Sequence, residues 1–397
     1  MWKSFRIGSL FGIPIKLDVT FLLILPVFAA LIGMQIEPVV EVLNEAFGAE
    51  IDTDAVTDGY TPWLLGLAAA IGLFVGVVFH ELGHALTAKR YGFPIDSITL
   101  WLLGGIAALS EMPEDWKKEF WIAIAGPIVS VLVGVGSYLL FIATPESLDG
   151  ARFVLAYLAI LNIALAGFNM LPAFPMDGGR ILRAFLARSR PYAQATQTAA
   201  SVGKVFAVMM ALVGFFEFNL LLIAVAFFIY FAAAGEAQQV TMKAAFEHVT
   251  VSDIMTPAEK LDTVSPETTI DSLLQQMILQ RHTGYPVLEN GNLVGIVTLS
   301  DAREINPAER EAFTVRDVMS TDLKTVEADA DVMGAITRMR RDGIGRLLVV
   351  EGDSWGASNP AGTEFRGLIT RSDIMTALDV IRESGHVKPT MPASAVE

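Results

Sequence analysis

The sequence predicts a polytopic α-helical membrane domain, with six transmembrane helices and a re-entrant β segment, followed by a pair of α/β domains. Three observations support this fold class. Only 18% of the residues are charged, against roughly 25% in an average soluble protein. Long apolar runs dominate the chain up to about residue 234, and the composition beyond that point is that of an ordinary soluble protein. In this second part several short motifs occur twice, which indicates a repeated domain.

The change in composition and the repeats define the expected domains. They are a membrane domain at residues 1–240, two α/β domains at 246–306 and 312–385, and a disordered tail at 386–397. The chain starts with Met1-Trp2-Lys3, without the pattern of a cleavable signal. The first apolar stretch is therefore expected to be a retained anchor.

Six stretches are candidates for membrane-spanning helices, each of which needs about 20 apolar residues. They are residues 19–34, 62–88, 120–143, 153–170, 202–216 and 220–234. Lysine and arginine concentrate at one set of span ends, whereas residues 35–60, at the opposite ends, contain seven acidic residues and no basic residue. Basic flanks mark the cytosolic side of a membrane protein. We therefore expect a multi-pass protein of the cell membrane with both termini and the paired α/β domains in the cytosol.

Composition excludes several kinds of site and partner. The chain has no cysteine, so thiolate metal ligands, catalytic thiols and disulfides are excluded, and His, Asp and Glu remain as strong metal ligands. The formal net charge of −15 argues against a nucleic-acid partner, because binding to phosphate backbones depends on basic surface.

His80, Glu81 and His84 form a His-Glu-x-x-His motif within the second predicted span. Positions i and i+4 lie about 40° apart around a helix, so both imidazoles leave the same face. Two neutral imidazoles in this geometry can bind one Zn²⁺, and the glutamate can take a proton from the attacking water. A charged side chain in hydrocarbon costs on the order of 2.5–3.5 kcal/mol, so a functional role is expected. A proton or ion pathway is the alternative that remains open.

Asp177 is the best candidate for the third protein ligand that a catalytic zinc site needs. The other three histidines lie beyond the spans, so a carboxylate is expected. Asp177 follows the fourth span, after two prolines that break regular helix and before two glycines that allow close approach of the chain. Asp96, Glu111 and Glu114 are alternative ligands, and a plain helix cap is the alternative role for Asp177.

His80-Glu-Leu-Gly-His84 and the later Asn169-Met-Leu-Pro-Ala-Phe-Pro-Met-Asp177-Gly-Gly together resemble the site-2 protease family of intramembrane zinc metalloproteases. The resemblance implies that His80, His84 and Asp177 bind one zinc ion and that Glu81 is the general base. It also implies that Asn169 orients the substrate backbone or stabilises the oxyanion. The expected activity is that of a zinc metalloendopeptidase that cleaves within or near transmembrane segments of membrane-protein substrates.

Two glycine-containing segments extend the resemblance. The segment Leu103-Gly104-Gly105-Ile106-Ala107 is similar to the family's re-entrant strand, which implies that Gly104, Gly105 and Ile106 bind an unwound substrate. A small-residue patch for helix packing is the alternative. Ala125-Gly126-Pro127 also matches the family and predicts close approach of helices, without a chemical role.

The second part of the chain contains two similar units. Val251-Ser-Asp-Ile-Met255 recurs as Val315-Arg-Asp-Val-Met319, and Gly295-Ile-Val-Thr-Leu-Ser-Asp301 recurs as Gly367-Leu-Ile-Thr-Arg-Ser-Asp373. The repeats resemble a tandem of cystathionine-β-synthase (CBS) domains, the adenosine-ligand sensors. This resemblance implies that Thr298, Asp301, Thr370 and Asp373 bind the phosphate and ribose of ATP, ADP or AMP, and that two chains pair as a homodimer. The alternative is that each threonine and aspartate only caps the following helix.

The leading hypothesis is therefore intramembrane proteolysis that adenine nucleotides regulate. The competing class is a membrane ion or metal transporter with a nucleotide-sensing domain, which predicts charged residues spread through several spans. The polar residues instead converge on one depth, and the first, third and sixth spans contain almost none. A third hypothesis, a catalytically inactive scaffold, needs the loss of a ligand or of the base, and all four residues are present.

Overall fold

The structure is a computed structural model that describes residues 4–101, 104–109, 114–351 and 364–384. The predicted tail and the candidate ligand Glu111 lie outside these residues. The helices are α1 Val19–Met34, α2 Ile36–Phe47, α3 Thr53–Thr57, α4 Thr61–Arg90, α5 Trp116–Ala143, α6 Asp149–Asn169, α7 Asp177–Ala187, α8 Tyr192–Phe216, α9 Leu220–Ala245, α10 Val251–Ile254, α11 Ile270–Gln280, α12 Leu299–Arg303, α13 Val315–Val318, α14 Val332–Arg341 and α15 Arg371–Ser384. The strands are β1 Ser4–Leu10, β2 Ile13–Asp18, β3 Ile95–Trp101, β4 Gly104–Leu109, β5 Thr256–Pro257, β6 Gly284–Glu289, β7 Asn292–Thr298, β8 Thr325–Glu327, β9 Arg346–Glu351 and β10 Glu364–Thr370. The chain divides into two compact units at Val240 and Thr241.

Within the described part of the chain, α4, α5, α6, α8 and α9 are each long and apolar enough to cross a membrane. They overlap five of the six predicted spans, although α8 begins at Tyr192 and α9 ends at Ala245, beyond the predicted bounds of 202–216 and 220–234. The two helices flank the predicted turn at residues 217–219. α1 and α2 pass the same test only as a pair, bent by 67°. α1 alone has 16 residues, about 24 Å of helix, whereas the hydrocarbon core is about 30 Å thick. The described residues therefore contain five candidate spans, or six if the bent pair crosses as one.

A β-hairpin of β1 and β2 precedes the short helix α1. α1 runs antiparallel to α4, because Phe21 packs on Phe74 with ring centroids 4.4 Å apart and a Cβ on Gly33 would lie 3.1 Å from Pro62 O. α1 therefore begins beside the middle of α4, and β1 and β2 precede it. This hairpin was not predicted, because all seven residues of β1 are exposed and the strand shows no buried face.

β1 and β2 belong to a four-stranded sheet of order β1-β2-β3-β4. Lys89 Nζ donates to Phe11 O over 3.1 Å and fastens the β1–β2 turn to the end of α4. Ile13, Leu82 and Ile98 are buried together where the sheet packs on α4. The predicted re-entrant segment is thus β4, an outer strand of this sheet, paired antiparallel with β3.

Residues 35–60 look like an acidic loop in the sequence but contain α2 and α3. The apolar face of α2 is buried, with Leu43 in a cluster that includes residues of α6. Arg152 of α6 is also buried, donates to Ala49 O over 2.6 Å and lies 4.8 Å from the centroid of the Phe141 ring. These contacts make residues 35–60 a folded cap at one end of the first unit.

The second unit contains two similar α/β repeats with sheets of order β6-β7 and β5-β10-β9-β8. In each repeat an antiparallel hairpin ends at a threonine that precedes a helix. Gly284 pairs with Thr298 in the first hairpin, and Arg346 pairs with Thr370 in the second. Gly284 and Arg346 are therefore equivalent positions of the two repeats.

Candidate metal centre and cleft

Three residues predicted as metal ligands meet at one point in the first unit. Asp177 Oδ2 lies 3.1 Å from both His80 Nε2 and His84 Nε2, and the two Nε2 atoms are 3.1 Å apart. All three residues are buried, and the alternative ligands Asp96 and Glu114 are not part of this group. Tetrahedral Zn²⁺ with bonds of about 2.0–2.1 Å separates its ligand atoms by roughly 3.3 Å. The observed spacing therefore fits a zinc ion.

The second ring nitrogen of each histidine is held by α5. His84 Nδ1 lies 2.7 Å from Ile122 O, and it carries the proton because a carbonyl oxygen only accepts. His84 Nε2 of the neutral ring then turns a lone pair toward the Asp177 carboxylate, and the two repel unless a positive charge lies between them. His80 Nδ1 lies 2.8 Å from Ser130 Oγ. Such partners orient metal-binding histidines, but neither was predicted, since a carbonyl and a single serine form no sequence motif.

Asp177 is the first residue of α7, and Met176 occupies the N-cap position before it. Its carboxylate contacts the two histidines, so the alternative role of Asp177 as a plain helix cap does not agree with the structure. Residues 170–176 fold back over the start of α7 so closely that a Cβ on Gly178 would overlap Leu171 O. The predicted role of the glycine, close approach of the chain, agrees with this geometry.

Gly126 of α5 lies against the Nε2 atoms of the two predicted ligands His80 and His84. A Cβ at this position would overlap His84 Nε2 and would lie 2.8 Å from His80 Nε2. From the sequence, Ala125-Gly126-Pro127 was expected only to bring helices together. Because glycine has no side chain, space is left beside the two histidines, which a metal ion and its water would need.

Glu81 is half-buried and lies beside β4. A Cβ on Gly105 would be 2.5 Å from Glu81 Cγ and 3.2 Å from Glu81 Oε1. Gly104 and Ile106, the other residues predicted to contact substrate, belong to the same strand. Asn169 is the last residue of α6, and its Nδ2 donates to Leu165 O over 3.0 Å. The candidate base thus lies against the backbone of an outer strand, and the role of Asn169 stays a prediction.

A cleft of about 600 Å³ lies between the two repeats of the second unit. Thr298 and Asp301 line it from the first repeat, and Arg346 lines it from the second. Arg346 Nη2 donates to Thr283 Oγ1 over 3.0 Å. The guanidinium of Arg346 also packs against Gly284, the residue at the equivalent position of the first repeat. Burial lowers the pKa of Arg346, which the Asp301 carboxylate partly offsets. Arg303 and Lys324 also line the cleft, as does Asp322, which accepts from Lys324 Nζ over 2.7 Å. The three basic residues outnumber the two carboxylates, so the cleft is suited to an anionic ligand.

The two predicted threonine–aspartate pairs share one local geometry. Thr298 N and Oγ1 donate to Asp301 Oδ2 over 2.7 and 2.8 Å, and Thr370 N and Oγ1 donate to Asp373 Oδ2 over 2.8 and 2.7 Å. The same capping box occurs outside the predicted binding motifs, at Thr250-Asp253 and Thr314-Asp317. Helix capping therefore accounts for the local contacts of both pairs. The surroundings differ, because Thr370 and Asp373 are not among the residues that line the cleft.

A bundle of apolar helices in which two histidines and an aspartate converge, with a glutamate between the histidines, is the arrangement of a membrane-embedded zinc metalloprotease. Residues 68–152 and 146–212 match the family described as Peptidase family M50, and residues 251–306 and 315–380 match the CBS domain. The chain is 35% identical to zinc metalloprotease MJ0392 of Methanocaldococcus jannaschii over 386 residues, which is 97% of this chain and 99% of that protein. This chain belongs to peptidase family M50, the site-2 protease-like zinc metalloproteases, and it carries two CBS domains. Both resemblances named from the sequence are confirmed.

Two solved structures are also similar to parts of the chain. The site-2 protease from Methanocaldococcus jannaschii is 35% identical, covers 59% of this chain and 95% of its own, and has a TM-score of 0.40. CBSX2 in complex with AMP is 26% identical, covers 34% of this chain and 98% of its own, and has a TM-score of 0.28.

Proposed function

We propose that this zinc metalloprotease hydrolyses peptide bonds within or near the transmembrane segments of membrane proteins. The supporting observation is that the buried cluster of His80, His84 and Asp177 lies among apolar helices, with an outer strand beside the candidate base Glu81. A site so placed is suited to a substrate that is itself in the bilayer. Basic residues at the matching ends of the spans support cytosolic termini and a cytosolic second unit.

His80, His84 and Asp177 would hold the zinc ion. When bound, zinc polarises the scissile carbonyl and lowers the pKa of water. Ile122 O and Ser130 Oγ fix the two imidazole rings, so that both Nε2 atoms stay directed at one point. Gly126 keeps that point free of side-chain atoms.

Glu81 would act as general base and then as general acid. It takes a proton from the attacking water and returns it to the nitrogen of the leaving amine. Asn169 would donate its amide to a carbonyl oxygen of the substrate. These roles need a substrate peptide in an extended conformation, because the peptide N–H and C=O groups of a helix are already hydrogen-bonded to each other.

Gly104, Gly105 and Ile106 of β4 would bind that extended peptide. An outer strand presents backbone N–H and C=O groups, which in hydrocarbon must be paired or face water. A substrate segment that unwinds from its helix loses its internal hydrogen bonds and needs new backbone partners. If it adds to β4 as a strand, the backbone N–H and C=O groups of both chains are paired. Glu81 then lies next to the bound backbone, since its side chain contacts Gly105.

Cleavage of a panel of membrane-spanning peptides in lipid nanodiscs tests this proposal. The wild type should cut at least one peptide, and Glu81→Gln should lower kcat by about 10²–10⁴-fold, as expected for loss of a general base. Zinc content should stay near one ion per chain, because the three ligands are unchanged. Full turnover by Glu81→Gln would remove the general-base assignment.

We also infer that the cleft between the CBS repeats binds an adenine nucleotide and so regulates the protease. Three basic residues and the Thr298–Asp301 pair lining one cleft support this inference, since a guanidinium suits phosphate and a carboxylate suits ribose hydroxyls. Calorimetry of the full chain with AMP, ADP and ATP tests it. Arg346→Ala should weaken binding about tenfold or more, whereas Arg316→Ala, which removes two exposed ion pairs of the same unit, should not. Absence of heat with all three nucleotides would overturn the inference.

A further inference from the structure

We propose that Arg183 is a positioning residue for the metal centre. Its guanidinium connects the helix that begins with Asp177 to the helix that orients the two histidines. The inference rests on the proposed zinc site, because it concerns how the ligands of that site are held together. Arg183 lies outside both sequence motifs, and it donates to Glu119 and Glu236 rather than to a candidate ligand.

Arg183 is fully buried on α7 and pairs with carboxylates from two other helices. Its Nε donates to Oε1 of the buried Glu119 on α5 over 2.6 Å, and its Nη1 donates to Glu236 Oε1 on α9 over 2.6 Å. The Glu236 side chain is 32% exposed, whereas Glu119 is almost completely buried. The ion pair with Glu119 is therefore the one that is shielded from solvent.

Two aromatic rings hold the same guanidinium. The Arg183 Cζ lies 5.0 Å from the ring centroid of Phe174 and 4.9 Å from that of Tyr192. Phe174 belongs to the segment that folds over the start of α7, and Tyr192 is the first residue of α8. Charge pairing and cation–π contacts therefore fix Arg183 relative to α5, α8, α9 and the segment that precedes Asp177.

The position of Glu119 gives this network its connection to the metal centre. Glu119 lies one helical turn before Ile122, whose carbonyl oxygen orients His84. The bond between Arg183 and Glu119 consequently sets the distance between α7 and the turn of α5 that holds the histidine. Because the three ligand atoms lie 3.1 Å apart, small shifts of α7 change the geometry offered to zinc.

Arg183→Lys tests this inference in the full chain. Lysine keeps the positive charge, so Glu119 is not left unpaired, but it lacks the planar fork that bonds two carboxylates at once. We expect zinc affinity, measured by competition with a chelator, to fall by about 10–100-fold, as for other residues that orient metal ligands. The visible absorption bands of the Co²⁺-loaded protein should also shift, because they report ligand geometry.

Arg152→Lys is the matched control. Arg152 is also a buried arginine of the first unit with a cation–π contact, but its partners are Ala49 O in the cap and, at the end of α5 far from Ile122, the Phe141 ring and Thr144 O. It should lower the thermal stability while leaving zinc affinity within about twofold. Equal loss of zinc affinity in both variants would show that Arg183 is only structural.

Glu236→Gln provides the test if Arg183→Lys does not fold. It leaves Arg183 paired with Glu119 and exposes no buried charge, so we expect a folded protein with a smaller loss of zinc affinity, about three- to tenfold. Unchanged affinity and unchanged Co²⁺ bands in both Arg183→Lys and Glu236→Gln would overturn the inference. Absence of stoichiometric zinc in the wild type would instead contradict the proposed function.

Discussion

The metal centre of the first unit and the cleft of the second unit differ in what holds their residues. His84 and Asp177 are buried, come from distant parts of the sequence and are oriented by residues of other helices. Thr298 and Asp301 bond to each other within one turn, as Thr314 and Asp317 also do. A change around the metal centre should therefore act directly on function. A change in the second unit should act on local stability, and on ligand binding only next to the cleft.

Gly126→Ala should cause the largest loss. The added methyl group would overlap His84 Nε2 and crowd His80 Nε2, so the ligands cannot keep their positions. We expect zinc affinity and kcat/KM to fall by at least about 100-fold, at the upper end of the effects of residues around metal ligands. Metal analysis and peptide cleavage in nanodiscs measure both quantities.

Gly136→Ala is the control for this variant. Gly136 lies on the same helix, and a Cβ there meets nothing within 4 Å. Alanine is up to about 1 kcal/mol better than glycine in a helix, so neither variant should destabilise α5 by itself. If Gly126→Ala binds zinc as tightly as Gly136→Ala, the metal does not lie where the three ligand atoms meet.

Five apolar helices lie where spans are predicted, and the predicted ligands His80, His84 and Asp177 meet at one point, because apolar runs and the two motifs are visible in the local sequence. Long apolar runs predict the spans, and the spacing of His80 and His84 places their rings on one face of a helix. The environment of the site could not be predicted in this way. Ser130 and Ile122 O lie beside the histidines only because α5 packs on α4, and Arg183 meets Glu119 only because α7 packs on α5. Nothing in the local sequence marks these residues. The β1–β2 hairpin was missed for a similar reason, since its exposed strand depends on pairing with β2 for its conformation.

Gly105→Ala should have an intermediate effect, which distinguishes a disturbance of the candidate base Glu81 from a loss of the metal ion. A Cβ at this position would lie 2.5 Å from Glu81 Cγ, so Glu81 must move, and the three atoms nearest to that Cβ all belong to Glu81. We expect kcat to fall by about tenfold, part of what a general base contributes, with zinc content unchanged. Gly8→Ala on β1, the other outer strand, meets nothing within 4 Å and should keep wild-type kcat. Equal activity of the two variants would show that β4 does not constrain Glu81.

Replacement of single capping threonines should give the smallest effects and the clearest contrast between the two units. Thr298→Ala, Thr370→Ala and Thr314→Ala each remove one hydroxyl from the same capping box, so each should lower the free energy of unfolding of the second unit by about 1 kcal/mol. Nucleotide affinity should fall several-fold in Thr298→Ala, because only this threonine of the three lines the described cleft. Thr314→Ala should bind nucleotide as the wild type does, and Thr370→Ala should lose less affinity than Thr298→Ala. Equal affinities in all three variants, measured by calorimetry beside equal losses of stability, would mean that these threonines serve as helix caps alone and that the cleft binds its ligand through the basic residues.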